Sequence, residues 1–155
     1  MSAIRTTLGL PGWLALSLAA GWVGSRFRPD DWYEQLTKPA WTPPDAVFAP
    51  VWTILYLLMG IAAWLVWRKA DFKETWPSLL LFVFQLGLNT FWSFLFFGLH
   101  RIDLALLEII LLWIVILITL LLFWRQDPRA GMLLLPYWLW VAYAGALNTG
   151  LWILN

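Results

Sequence analysis

The sequence has no cysteine and only one histidine among its 155 residues. The first absence excludes disulfides, thiolate metal sites and cysteine nucleophiles, and a lone histidine cannot build a histidine-based metal site. Charged residues are also scarce, at 12%, against roughly 25% in soluble domains. Ten basic and nine acidic residues leave a net charge of +1, so the chain lacks the basic excess of a nucleic-acid-binding protein.

Apolar side chains are what the sequence has in excess. Hydrophobic residues make up 62% of the chain, the mean hydropathy is +0.74, and there are 14 tryptophans. A soluble domain of this size could not bury that much apolar surface, because polar side chains must still cover its exterior. The same abundance of apolar residues, with little net charge, excludes disorder. We therefore expect an integral membrane protein.

The gaps between charged residues locate the membrane spans. A helix needs roughly 20 mostly apolar residues to cross the hydrocarbon core. Five segments of about this length are nearly free of charged residues: 6–25, 46–67, 75–100, 104–124 and 130–155. The fourth contains one charged residue, Glu108, and the other four contain none. They predict an all-α integral membrane protein, a five-transmembrane-helix bundle forming one domain over 1–155, with helices at about 6–25, 47–67, 77–98, 104–124 and 132–153. Six lysines and arginines on the N-terminal side, against four on the other, predict a cytoplasmic N-terminus.

The connection between the first two spans, residues 26–45 (loop 1), differs from the others. It holds seven charged residues and four of the nine prolines. Prolines fix φ and prevent a long helix, so we expect an ordered, partly extended cap. Trp32, Tyr33 and Trp41 would be costly in open water and should pack onto the bundle or into the membrane interface. Loop 1 is therefore either an interfacial anchor or a lid over a cavity.

Polar and aromatic side chains converge in the interior beneath loop 1. Trp52 lies about 8 Å, and Asn89 about 14 Å, from the loop 1 ends of their spans. Trp140, Ala144 and Asn148 share one face of the fifth span. The polar groups at this depth, which are Gln85, Asn89 and Asn148, need partners, because lipid supplies none. Two interpretations are open: hydrogen bonds between helices, or an aromatic-walled cavity for a flat apolar ligand that Asn89 helps to orient.

Other side chains carry weaker signals. Glu108, about one turn into the fourth span, could extend to the interface, which favours a structural role over a proton relay. His100 could ligate haem iron or be solvated. Ala142, Ala146 and Gly150, at four-residue spacing, predict close packing against a neighbouring helix.

Half of the tryptophans lie near the ends of the spans, where an interfacial aromatic belt is expected. These are Trp13, Trp22, Trp64, Trp67, Trp76, Trp124 and Trp152. The others lie in loop 1 or within the spans, and Trp113, in the middle of the fourth span, has no evident role. The tryptophans outside the belt are therefore the candidates for a binding site.

The loop 1 motif and its neighbours resemble a known family. The motif reads Trp32-Tyr33-x-x-Leu36-x-Lys38-Pro39-x-Trp41-x-Pro43-Pro44, followed by Phe48-x-Pro50-x-Trp52-x-x-x-Tyr56. Further matches are Gln85-x-x-x-Asn89-x-x-Trp92-Ser93, Phe97-Gly98 before Arg101, and Leu135-Pro136-Tyr137-x-x-Trp140 leading to Leu147-Asn148. Over about residues 8 to 154 the chain resembles the translocator protein family, the tryptophan-rich sensory (TspO/MBR) proteins of bacteria, also called peripheral benzodiazepine receptors.

The resemblance implies a five-helix bundle, commonly a homodimer, in the bacterial cell membrane, with a ligand pocket under loop 1. Its ligands would be porphyrins, such as protoporphyrin IX and haem, and isoquinoline or benzodiazepine-type compounds, with no obligatory cofactor and no metal site. Matching positions give as ligand-binding residues Tyr33, Pro43, Trp52, Tyr56, Asn89, Trp92, Trp140, Ala144 and Leu147, with Trp32 and Trp41 in the lid. Animal members also bind cholesterol through a motif that ends in a basic residue. No basic residue follows Arg129 here, which puts cholesterol binding in doubt.

Three functions are open. A membrane receptor or regulatory binding protein for porphyrins is favoured by the depth pattern and by the resemblance. A catalyst of light- or oxygen-dependent porphyrin degradation would use Trp52 and Trp140, although no acid–base pair or metal cluster supports ordinary enzymology. A transporter of tetrapyrroles or sterols is the third. Transporters usually contain internal repeats, and none is visible among the five spans.

Overall fold

The computed structural model describes residues 3–69 and 72–155 and is 85% helical. Its five long helices are Ala3–Gly24 (α1), Asp45–Trp67 (α3), Phe72–Ser93 (α4), Ile102–Gln126 (α5) and Pro128–Leu154 (α6). A short helix, Asp31–Glu34 (α2), lies within loop 1, and a π-helical turn, Phe94–Gly98, extends α4. Over the described ranges, five helices are long and apolar enough to cross a membrane. The predicted all-α five-helix bundle is confirmed.

The helices begin earlier than predicted, for example by two residues in α3 and by five in α4. Asp45 and Glu74 occupy their first turns, where an acidic side chain interacts favourably with the helix dipole, so the helices continue into the charged segments. α6 starts at Pro128, a position that needs no N–H partner. Asp127 caps it by accepting a hydrogen bond from the backbone N–H of Arg129 at 3.0 Å.

The core lies between α3, α4, α5 and α6, where Met59, Phe123 and Tyr137 are fully buried. α1 packs on one side only, against α3 and α4. In its most apolar stretch 6% of the residues are buried, compared with 33–44% in the other four spans. Gly60 permits the close approach of α1 and α3, because a Cβ added there would lie 2.9 Å from Leu14 Cα.

The tryptophans near the span ends, which were predicted to form a belt, do not all point outward. Four are 40–63% exposed, as a belt requires: Trp22, Trp76, Trp124 and Trp152. Trp64 and Trp13 instead face other helices. Trp64 Nε1 donates to the Thr6 carbonyl at 2.8 Å, and the Trp13 ring lies edge-on to Phe82 with centroids 5.8 Å apart. These two rings pack between helices rather than project outward, because the position along a helix gives the depth of a side chain but not its direction.

Candidate functional site

A chain of buried polar side chains crosses the centre of the bundle. Tyr56 Oη on α3 donates to Asn89 Oδ1 on α4 at 2.8 Å, and Asn89 Nδ2 donates to Tyr137 Oη on α6 at 2.8 Å. Tyr137 Oη in turn donates to Gln85 Oε1 on α4 at 2.6 Å. This network joins three helices at a depth where lipid offers no partner. It also occupies the Asn89 amide group that the sequence suggested for orienting a ligand.

Aromatic rings cover this network on the side of loop 1. The Trp52 ring stacks on Tyr56 with centroids 5.7 Å apart and 29° between the planes, and it lies edge-on to Tyr137 at 6.3 Å. Trp140, farther along α6, lies edge-on to Phe48 at 6.1 Å. Trp52 and Trp140 are partly buried rather than fully enclosed. The interior beneath loop 1 therefore has aromatic walls above a polar floor.

Loop 1 is fastened along α6 by three contacts: Thr37 with Asn155, Pro39 with Gly150, and Trp41 with Tyr143. The first is a pair of hydrogen bonds between the asparagine side chain and the threonine backbone, at 3.0 and 2.9 Å. In the second, a Cβ added to the glycine would lie 2.6 Å from the proline Cγ. In the third, the tyrosine hydroxyl donates to the tryptophan carbonyl at 2.6 Å. Successive loop residues thus descend α6, which makes loop 1 an ordered segment against the bundle.

The beginning of loop 1 is fixed to the end of α4 through His100, which has a φ of 56°. The imidazole stacks on the Trp32 ring with centroids 4.2 Å apart, and its Nε2 lies 2.9 Å from Asp30 Oδ2. Asp30 also caps α2 by accepting a hydrogen bond from the Tyr33 N–H. Burial raises the pKa of Asp30, but the bonds from the Tyr33 N–H and from His100 lower it more, and the net pKa is below the ordinary value. His100, which the sequence left open as a haem ligand or a solvated side chain, therefore contacts Trp32 and Asp30 of loop 1.

A second polar junction lies nearer the loop 1 face. Trp92 Nε1 on α4 donates to Asn148 Oδ1 on α6 at 3.0 Å, and Asn148 Nδ2 donates to the Ile102 carbonyl at 3.1 Å. The three residues join α4, α6 and the start of α5. Trp92 also packs against both hydrophobic clusters of the molecule, the large one that contains Tyr56 and the smaller one that contains Tyr33.

The residues predicted to bind a ligand fall into two neighbouring groups. Trp52, Tyr56 and Asn89 surround Tyr137, whereas Tyr33 belongs to the smaller cluster near the loop 1 face. By burial, four of the predicted residues are buried, namely Tyr33, Tyr56, Asn89 and Leu147. Those partly buried are Trp32, Pro43, Trp52, Trp92, Trp140 and Ala144. Trp41 is 49% exposed, and it contacts α6 both through its carbonyl and through its ring, whose centroid lies 5.7 Å from that of Tyr143.

The sequence predicted the bond between helices for Gln85, but it did not single out Tyr137, and it misplaced Glu108. Tyr137 and Gln85 were not among the ligand-binding candidates, although a hydroxyl or an amide in mid-span needs a partner and so indicates a functional or structural contact. Glu108 was expected to extend to the interface, but it is 7% exposed. It lies on the buried face of α5, in line with Ala105 and Leu112, because four- and three-residue spacing keeps these side chains on one stripe.

Together these features define a helical membrane protein whose aromatic interior lies under an ordered, proline-rich loop. The sequence profile of the TspO/MBR family matches residues 13–153. The chain is 44% identical over 149 residues to a tryptophan-rich protein TspO of Chlorobaculum tepidum, which covers 92% of each chain. It is 38% identical to a tryptophan-rich sensory protein of Cereibacter sphaeroides (87% of this chain, 84% of the relative) and 34% identical to the translocator protein of Bos taurus (91% and 86%). The chain belongs to the TspO/MBR family and is an integral membrane protein.

Proposed function

We propose that this protein is a membrane receptor, or regulatory binding protein, for porphyrins such as protoporphyrin IX and haem, and for related flat hydrophobic ligands. The observation that carries the proposal is the position of Trp52, stacked on Tyr56 directly beside the Tyr137 network and beneath an ordered loop 1. A ligand with a large flat π-system can use the same stacking geometry as these rings do. Offset or edge-on aromatic pairs contribute about 0.5–1.5 kcal/mol beyond the burial of their area.

The chemistry around Trp52 favours a receptor over a conventional enzyme. In the interior described above, the polar groups are amides and phenols that already bond to one another, not an acid–base pair beside a nucleophile. The name of the Cereibacter sphaeroides relative, a tryptophan-rich sensory protein, is in keeping with a binding and regulatory role. Loop 1 would then act as the lid, because its contacts with α6 close the same end of the bundle.

A titration of the purified protein with protoporphyrin IX, followed by quenching of tryptophan fluorescence, tests this function. The variant Trp52→Leu should raise the dissociation constant about tenfold, since the loss of roughly 1.4 kcal/mol of stacking and burial corresponds to that factor. Trp76→Leu is the matched control, because Trp76 lies in the first turns of α4 at the opposite end of the bundle and is 47% exposed. Quenching of the wild type no stronger than that of an unrelated membrane protein would contradict the proposal.

We also propose that the N-terminus is cytoplasmic and that the protein is a homodimer, as the sequence predicts. Because the chain has no native cysteine, a single cysteine can be introduced at Ser25 or at Gln126. Each of these two variants reports which side of the membrane its cysteine lies on. With a cytoplasmic N-terminus, a membrane-impermeant maleimide labels Ser25→Cys in intact cells and does not label Gln126→Cys. The reverse pattern refutes the orientation. The mass of the protein in native nanodiscs decides between monomer and dimer.

A further inference from the structure

The two ends of the bundle differ in charge. The N-terminal side, with the connections between α3 and α4 and between α5 and α6, carries six basic and three acidic residues, a net charge of +3. The opposite side, with loop 1 and the start of α5, carries four basic and five acidic residues, a net charge of −1. Basic residues at a membrane surface attract anionic lipids. The N-terminal side is therefore the one that favours contact with such lipids.

Three basic side chains on that side surround one buried carboxylate. Asp127 is 3% exposed, and Arg129 donates to both of its oxygens, at 3.1 and 2.9 Å. Lys69 Nζ lies 3.6 Å, and Arg68 Nη2 lies 4.0 Å, from Asp127 Oδ2, which is beyond hydrogen-bond length. Asp127 thus attracts Arg68 and Lys69 without using their N–H groups. One carboxylate beside three cations leaves positive charge for a further anion.

Arg68 connects this cluster with the edge of the bundle at α1. Its guanidinium lies over the Trp64 ring, 5.0 Å from the centroid, and the same ring bonds to the Thr6 carbonyl of α1. A guanidinium stacked on an aromatic face keeps its N–H groups at its edge, where a phosphate can accept two of them. Lys69, whose side chain is 40% exposed, adds a point charge beside it. The two side chains therefore suit the phosphate of a lipid headgroup.

An apolar groove begins beside this cluster. It lies between α1 and the last turn of α3, and its volume is about 350 Å³. The residues that line it are Leu8, Gly9, Gly12, Trp13, Leu16 and Trp67. Trp67 directly precedes Arg68, and the groove runs from Leu8 to Leu16, about 12 Å along α1 towards the membrane centre. Gly12 leaves it open, because a Cβ added there would meet nothing within 4 Å. A groove of this shape accommodates a stretch of acyl chain.

We propose that an anionic phospholipid binds at this corner of the bundle, with its phosphate between Arg68 and Lys69 and one acyl chain in the groove along α1. The two parts of the site suit one molecule, because a phospholipid carries its phosphate at the membrane surface and its chains directly below. A zwitterionic lipid offers the same phosphate together with an ammonium group, which the positive cluster repels. Headgroup charge therefore decides between lipids, whereas the groove holds the chain of either. The site does not depend on the interior beneath loop 1 or on what binds there.

Two lipids and two charge variants test the headgroup part of the site. The lipids are dioleoyl phosphatidylglycerol and dioleoyl phosphatidylcholine, which have the same acyl chains and differ in headgroup charge. Native mass spectrometry of the delipidated full-length protein in nonionic detergent measures the dissociation constant of the first lipid bound. The headgroup variant is Arg68→Gln with Lys69→Gln. Its matched control, Arg26→Gln with Arg28→Gln, removes the same charge on the opposite side, where Arg26 likewise lies over a tryptophan ring, 5.1 Å from the Trp22 centroid.

The headgroup variant should raise the dissociation constant of phosphatidylglycerol about tenfold, to that of phosphatidylcholine, because it removes two basic residues at the membrane surface. It should change the dissociation constant of phosphatidylcholine less than about twofold, which also shows that the variant has folded. The control variant should match the wild type for both lipids.

A second pair of variants tests the groove. Gly12→Leu fills it and should weaken both lipids alike, about threefold or more, because the acyl chain loses its packing contacts while the headgroup keeps its own. Gly87→Leu on α4, where an added Cβ also meets nothing within 4 Å, is the control and should match the wild type. Glycerol 3-phosphate, which has the phosphate but no chains, should displace neither lipid when added at the same concentration.

Four results would each overturn the inference. They are equal affinity of the wild type for the two lipids, equal effects of the headgroup variant and its control, unchanged binding in Gly12→Leu, and displacement by glycerol 3-phosphate. The last would identify a soluble phosphate compound as the occupant instead of a lipid. All four leave the proposed porphyrin-binding function untouched.

Discussion

The contact between Gly150 and Pro39 predicts that one methyl group added at Gly150 will weaken the attachment of loop 1 to α6. A Cβ at Gly150 would lie 2.6 Å from the Pro39 Cγ, about 0.8 Å closer than ordinary van der Waals contact begins. The obstructing atom belongs to a proline ring, which cannot rotate away as a flexible side chain can. Overpacking of this kind costs about 1–3 kcal/mol. Replacing glycine by alanine in a helix returns up to about 1 kcal/mol. We therefore expect Gly150→Ala to destabilise the attached loop by about 1–2 kcal/mol.

Hydrogen exchange at Thr37 measures this effect directly. The Thr37 N–H donates to the Asn155 side chain at 3.0 Å, so it exchanges only when loop 1 separates from α6. A loss of about 1–2 kcal/mol should speed its exchange about 5- to 30-fold. The matched control is Gly87→Ala on α4, where an added Cβ meets nothing within 4 Å. Unchanged exchange in Gly150→Ala, or an equal increase in Gly87→Ala, would show that the loop is not held by this contact.

Two further predictions concern the stability of the bundle. Tyr137→Phe removes a hydroxyl that makes two buried hydrogen bonds and should lower the free energy of unfolding by about 1–3 kcal/mol; Tyr143→Phe, which loses one bond to loop 1, should lower it by less than about 1 kcal/mol. Unfolding by sodium dodecyl sulfate in mixed micelles compares the two, and equal losses would refute a special role for the network. Asp127, between α5 and α6, has a pKa lowered to about 2, chiefly by the hydrogen bond from the Arg129 side chain, with Lys69 contributing and burial opposing. Since this lies below the value of about 3.9 for an unfolded chain, the ionised group stabilises the fold above that pH, and the contribution disappears as the pH falls towards 2. Asp127→Asn should therefore be less stable than the wild type at pH 7 and lose less stability between pH 5 and pH 2; parallel pH profiles would contradict this.

The fold was largely predictable because the membrane imposes one strong constraint. A span must be apolar over roughly 20 residues and must satisfy its own backbone, so gaps between charges locate helices with little ambiguity. The ends were less predictable, since Asp45 and Glu74 are charged and yet helical. Likewise the spacing of Ala142, Ala146 and Gly150 predicted a helix partner. In the structure Gly150 receives Pro39 of loop 1, and the two alanines are exposed.

The candidate site was predictable in depth but not in direction. The sequence placed Trp52 and Asn89 in the part of the bundle beneath loop 1, and the structure brings both of them, with Tyr56, together around Tyr137. Which groups bond to one another depends on the rotation of each helix about its axis. That rotation is hard to predict from a sequence with few charged residues, because almost every face of each helix is apolar. For the same reason Glu108, near the end of its span, was expected at the interface, although it faces the core.

The pattern of occupied and unoccupied polar atoms decides where polar selectivity resides in this bundle. Asn89 already accepts a hydrogen bond from Tyr56 and donates one to Tyr137, and a ligand that displaces either tyrosine exchanges one hydrogen bond for another and gains little free energy. By contrast, the Glu108 oxygens and the Trp140 Nε1 have no partner among the described residues, so a bond to either is a net gain. Aromatic rings such as Trp52 can supply area to any flat ligand, and area alone does not distinguish one porphyrin from another. A preference for one flat ligand over another is therefore expected to depend on unpartnered polar atoms such as the Glu108 oxygens on α5 and the Trp140 Nε1 on α6.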